Sequence, residues 1–161
     1  MGTRGLTVVY KDGTHKIAQY GQWDHYPEGQ GLTALQFLRD TTADVGAWQG
    51  FLDALDRVSF HPGPDALIAD FPLMDRDHGA EILEMVAASA DPVVLRDSLR
   101  FALDGLFCEW VWVVDLDAGT FGTCAFEKGH GGAIIMGPGL TWPLADLPSD
   151  AVFLAAFKEE E

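Results

Sequence analysis

RGLTVVYKDGTHKIAQYGQW (residues 4–23) is the stretch from which the fold is read. Two runs rich in β-branched and aromatic residues, 4–11 and 14–23, flank Asp12-Gly13. That dipeptide suits the two-residue hairpin turn in which both central positions need positive φ. With Asp12 and Gly13 as the turn, Tyr10 faces His15, Val8 faces Ile17, Leu6 faces Gln19 and Thr3 faces Gln22. Alternation then puts Leu6, Val8, Tyr10, Ile17 and Trp23 on a core face. Thr3, Thr7, Val9, Tyr20, Gln22 and Asp24 fall on the other face, which turns polar toward the chain start.

Working outward, residues 24–31 (DHYPEGQG) read as a loop, and helical spacing then takes over. Leu32, Leu35 and Leu38 share one face, and Asp44 caps a second helix carrying Val45, Trp48, Phe51, Leu52, Leu55 and Val58. Residues 59–76 are loop-rich, with a short strand expected at 66–69. A helix is expected from about Asp77, burying Ile82, Met85 and Val86. Another is expected from Asp91-Pro92, as N-cap and first-turn proline, to about Gly105. Residues 108–116 and 120–126 form a second hairpin around Asp117-Ala118-Gly119, pairing Leu116 with Thr120, Trp112 with Cys124 and Trp110 with Phe126. Cys108, Trp110, Trp112, Val114, Cys124 and Phe126 then line one face, and Val111, Val113, Phe121 and Ala125 the other. Both faces are apolar, so this hairpin belongs in the middle of its sheet. An edge strand is expected at 133–136, and a last helix after Pro148-Ser149 turns Phe153, Ala156 and Phe157 inward. The expected class is α+β, one domain over 1–161: an antiparallel sheet covered by helices on both faces, an αββα-like sandwich.

Composition narrows the function. The chain has 161 residues, 48% of them hydrophobic, and a formal net charge of −15. Such a charge disfavours binding to nucleic acid or to anionic membranes, whose phosphates need basic surfaces. The excess is uneven: residues 1–31 balance Arg4, Lys11 and Lys16 against Asp12, Asp24 and Glu28, so all of it lies in 32–161. The first ten residues lack the apolar run of a secretion signal. Two cysteines, Cys108 and Cys124, stand too far apart along the hairpin to bridge. A reduced, cytoplasmic protein is expected. The five histidines show no zinc spacing. No metal or cofactor is expected, and an oligomer is left open.

The candidate chemistry lies near the chain start. Removal of Met1, which a small Gly2 favours, leaves a free amine beside Thr3, Gln22 and Asp24. An amine next to a hydroxyl is how an N-terminal nucleophile is activated. Gly21-Gln22-Trp23-Asp24 after the second strand resembles the opening hairpin of N-terminal-nucleophile hydrolases. The resemblance implies hydrolysis of an amide-type bond, with Thr3, Gln22 and Asp24 as its catalytic residues. The chain departs from that pattern in offering Gly2, which has no nucleophile, as its exposed terminal residue.

Longer words point elsewhere. Met1-Gly2-Thr3-Arg4-Gly5, Tyr20-Gly21-Gln22-Trp23-Asp24, Tyr26-Pro27-Glu28-Gly29-Gln30-Gly31 and Phe107-Cys108-Glu109-Trp110 together resemble a family of uncharacterised bacterial and phage proteins. That resemblance implies no known activity, but it implies a phage or prophage origin and a role against a bacterial defence or signalling system. Around the 22–31 loop, Arg4, Tyr20, Trp23, His25, Tyr26 and Glu28 combine aromatic faces with directional polar groups, and Gly29 and Gly31 let backbone approach a ligand. The expected function is small-molecule binding at that loop. The alternatives are the hydrolase and an acidic protein that blocks a partner.

Overall fold

The computed structural model describes residues 2–61 and 78–158. The expected strand at 66–69 and the capping role of Asp77 lie outside these residues. Strands β1 (Gly5–Lys11) and β2 (Thr14–Gly21) form the first hairpin. Asp12 and Gly13 adopt φ of 57° and 78°, as the turn chemistry requires.

Register departs from expectation one rung past that turn. Tyr10 does pair with His15, but Val9 pairs with Ile17, so Lys16 is an extra residue on β2. A one-residue bulge exchanges every later pairing between faces. Val8 therefore lies opposite Ala18 and Leu6 opposite Tyr20. Ile17 joins Val9 on one face, while Leu6, Val8 and Ala18 share the other. Neither face turns polar along β1, since Leu6, Thr7, Val8 and Val9 are all fully buried. Trp23, expected in the core, is 52% exposed.

The second hairpin joins β5 (Trp110–Asp115) to β6 (Thr120–Lys128). Asp115 pairs with Thr120 and Trp112 with Thr123, so four residues rather than three make the loop. Asp115 accepts the backbone N–H groups of Asp117 and Ala118, and Gly119, at φ 73°, closes the turn onto the Asp115 carbonyl. Phe121 consequently packs with Trp112 and Val114, and Cys124 with Val111 and Val113. The edge strand β7 (Ile134–Pro143) is longer than expected, and the sheet order is β2-β1-β5-β6-β7. β5 is central, as its two apolar faces imply. It runs parallel to β1, however, so the sheet is mostly rather than wholly antiparallel.

Helices α1 (Leu32–Thr42) and α2 (Val45–Leu55) follow the first hairpin. Asp44 caps α2 by accepting from the N–H groups of Gly46 and Ala47. α3 (Glu81–Ala87) buries Ile82, Leu83 and Val86, with Met85 only half-buried. The helix expected over 91–105 is not formed. Val93–Leu95 is instead strand β4, pairing in parallel with β3 (Val58–Phe60). Two adjacent valines that find a strand partner override a capping signal. Leu99–Leu103 then makes a tight 3₁₀ turn. α4 (Asp150–Lys158) buries Phe153, and Ser149 Oγ accepts from Val152 N–H at its start.

Buried residues of all four helices belong to one cluster with Val9, Ile17, Trp112, Val114 and Phe121. The opposite sheet face is covered by the 3₁₀ turn, through Leu99, Phe101 and Ala102. Among the described residues, helical cover on both faces is therefore not seen. The fold is mixed α/β around a mostly antiparallel sheet.

Candidate functional site

The segment that replaces the expected helix is strapped across the chain-start end of the sheet. At its near end, Asp97 makes an isolated parallel bridge to Ala18, and Ser98 N–H donates to the Ala18 carbonyl. His15 Nε2 lies 2.8 Å from Asp97 Oδ2, and Leu99 N–H donates to Asp97 Oδ1. Burial opposes the charge on Asp97, but these two partners outweigh it and hold the carboxyl below its ordinary range. At the far end, Glu109 N–H donates to the Arg4 carbonyl, while Arg4 N–H donates to Glu109 Oε2, both at 3.0 Å. In between, Asp104 Oδ1 accepts from Leu106 and Phe107 N–H, a side-chain turn that holds Phe107 outward.

This strap, with the ends of β1 and β2, borders a shallow, wide-open cleft of about 360 Å³ lined by Arg4, Tyr20, Gln22, Phe101 and Phe107. The Arg4 guanidinium carbon lies 5.0 Å from the Phe107 ring centroid. Tyr20 and Phe101 meet edge to face, with centroids 5.1 Å apart. The first is cation–π geometry and the second the favoured aromatic pairing. One cation, one phenol, one primary amide and two phenyl rings thus share a single concavity, and Phe107 is 47% exposed to it and to solvent.

The expected site residues divide. Arg4, Tyr20 and Gln22 line the cleft; Thr3, Trp23, Asp24, His25, Tyr26 and Glu28 do not. Residues 24–31 are wound on themselves. Asp24 takes φ of 59°, Gln30 N–H donates to the Asp24 carbonyl, and Pro27–Gly31 form a wide helical turn. A Cβ on Gly29 would lie 2.1 Å from the Asp24 carbonyl oxygen, and one on Gly31 would lie 2.7 Å from the Trp112 indole. These glycines admit the protein's own backbone and core, which corrects the expectation that they open space for a ligand. The Asp24 carboxylate is exposed and accepts from the Tyr26 hydroxyl, which raises the Tyr26 pKa. Thr3 gives its carbonyl to His25 N–H.

His25 is fully buried against Gly5 and Gly21, and neither ring nitrogen makes a hydrogen bond of good geometry. Burial pushes its pKa down to about 4, although the Trp23 and Thr3 carbonyls pull the other way. It is a neutral core residue, not a surface ligand contact.

Among the described residues, neither cysteine is tuned toward nucleophilic chemistry. Burial first, then Asp104 and Glu109, push the Cys108 thiol up to about 12, and burial pushes Cys124 up to about 11. A thiol so shifted is not a thiolate at neutral pH. Among the described residues, no three His, Cys, Asp or Glu side chains are placed to hold a metal ion. Other concavities are present among the described residues. One, between α1 and α3, is lined by Asp40, Glu81, Glu84 and Phe37, the acidic helix exterior that the composition demands. Another lies over β6 and β7 at Cys124 and Met136.

Sequence reasoning missed Phe101 and Phe107. Phe101 falls within the helix expected over 91–105, which does not form, and Phe107 lies three residues after the turn residue Asp104, the signal that marks it as presented. No family model, curated protein or solved structure matches the chain.

Proposed function

We propose that the protein binds a small molecule in the cleft between Arg4, Tyr20, Gln22, Phe101 and Phe107. One observation carries this reading. Two segments distant in sequence, 4–22 and 101–107, are tied together at both ends so that a cation, an amide, a phenol and two rings face one open volume. Aromatic side chains combined with a few convergent polar groups recur in ligand pockets, and about 360 Å³ falls within the usual size range.

The test is a fragment panel read by ligand-observed NMR against wild type, Phe107→Ala and Trp23→Ala. Fragments that bind wild type should lose binding in Phe107→Ala and keep it in Trp23→Ala. Retention of binding in Phe107→Ala, or loss in Trp23→Ala, would move the site to the 22–31 loop.

A further inference from the structure

We infer that the protein has a second small-molecule site, on the sheet face opposite the helices, which takes a monoamine: one compact apolar group carrying a single ammonium. The site is a cavity of about 260 Å³ over β6 and β7, separate from the Arg4 cleft. Val113, Cys124 and Met136 give it apolar walls, and Asp115 stands at one end. From the rung of Asp115 and Thr120 to that of Cys124 and Gly139 is four residues along β6, or roughly 13 Å.

Two features leave this part of the face hollow. The 3₁₀ turn Leu99–Leu103 covers the same face beside Leu6, Val8 and Ala18, and none of its residues lines the cavity. The floor, moreover, carries no side chain at Gly122 or Gly139. A Cβ on Gly122 would lie 2.0 Å from the Leu140 carbonyl oxygen, and one on Gly139 would lie 1.8 Å from that of Thr123. The close approach of β6 and β7 therefore requires glycine at both positions, so no side-chain rotamer there can fill the space. A dry cavity of about 150 Å³ is enough for benzene, and this larger one takes a ring with a short arm.

The charge of the ligand follows from the lining. Among the described residues, Asp115 is the one charged group there, and no Lys, Arg or His accompanies it. Its hydrogen bonds to the Asp117 and Ala118 N–H groups both go to Oδ1. A carboxylate has about four acceptor sites, so Oδ2 is left to receive an ammonium in a charge-assisted bond. Burial first and the Asp115 carboxylate second push the Cys124 thiol up to about 11, so this wall is neutral and the carboxylate acts on it. An anion entering the cavity finds no cation, and the field of a chain carrying −15 opposes it while favouring an amine.

Phenethylamine, phenethyl alcohol and phenylacetate have nearly the same shape and differ in charge. Each is titrated into the full chain while amide resonances of Gly122, Cys124 and Gly139 are followed, with Phe107 as the reporter of the cleft. The amine should bind at the first three about tenfold more tightly than the alcohol, and phenylacetate more weakly than either. Asp115→Asn, which keeps an oxygen for the Asp117 and Ala118 N–H groups, should bring amine and alcohol within about twofold of each other. In the unaltered chain, phenethylamine should also slow methylthiolation of Cys124 by methyl methanethiosulfonate several-fold and leave Cys108 unchanged, so the inference does not hang on a variant. Equal binding of amine and alcohol overturns it, as does an unchanged rate at Cys124 under saturating amine. Movement of Phe107 alone, or of none of these amides, overturns it too. The cleft is judged separately, by the fragments that move Phe107.

Discussion

The Trp112 indole N–H donates to the His25 backbone carbonyl at 2.8 Å, across 87 residues of sequence. Trp112 is fully buried, stacked on Trp110 and packed on Phe153 and Phe157. Its one polar atom satisfies a carbonyl of the loop that follows β2. The end of β2, where Tyr20 and Gln22 enter the cleft, is thereby tied to the middle of the sheet.

Trp112→Phe removes that donor and part of a core ring, and should cost about 2–3 kcal/mol, from the unsatisfied carbonyl and the cavity together. Urea unfolding checks it. A midpoint unchanged from wild type would mean that the loop is held by other contacts.

His25 gives a pH dependence. Its folded-state pKa is lowered to about 4 from an ordinary 6.5, so the folded chain binds fewer protons than the unfolded chain between those values. Its contribution is fully present above pH 6.5 and is lost as pH falls toward 4, amounting to roughly 3 kcal/mol. His25→Leu should flatten this part of the stability profile. A profile as steep in the variant as in wild type would place the acid sensitivity in other groups, Asp97 first among them.

Two glycines should respond in opposite directions. A Cβ on Gly29 meets the Asp24 carbonyl oxygen at 2.1 Å, whereas Gly50, inside α2, has nothing within 4 Å. Gly29→Ala should destabilise by about 2 kcal/mol through a backbone clash, while Gly50→Ala should stabilise by about 0.5–1 kcal/mol. Thermal unfolding of the two variants reads both signs.

Asp117 clasps the first hairpin from the second: its carboxylate oxygens each accept one backbone N–H, from Asp12 and from Gly13, at 2.8 Å. Asp117→Ala should speed amide exchange at Asp12 and Gly13 by about tenfold with little effect at the sheet centre, since the bonds are local and exposed. Unchanged exchange at these two amides would show that the turn needs no outside partner.

How far the sequence reaches can be seen at particular residues. Asp12-Gly13, Asp44 and the Leu32, Leu35, Leu38 spacing act through local chemistry, and each is found where expected. Lys16 is a bulge with no turn residue to announce it, and it moves Ile17 to the other face. The parallel pairing of β1 with β5 spans more than a hundred residues and leaves no local mark. Val93 and Val94 form a strand because β3 is there to receive them, which the Asp91-Pro92 signal does not encode. The cleft depends on that same failure. Arg4, Tyr20 and Gln22 were legible as candidates from position and chemistry, but Phe101 and Phe107 join them only through the strap anchored at Asp97 and Glu109.

The cleft itself is tested most directly by a crystal structure of the full chain soaked with the strongest-binding fragment of the panel. The account predicts density for the fragment between Phe107 and Tyr20, within hydrogen-bonding distance of Arg4 or Gln22. Density instead against Trp23 and Tyr26, or in the acidic groove between α1 and α3, would contradict it.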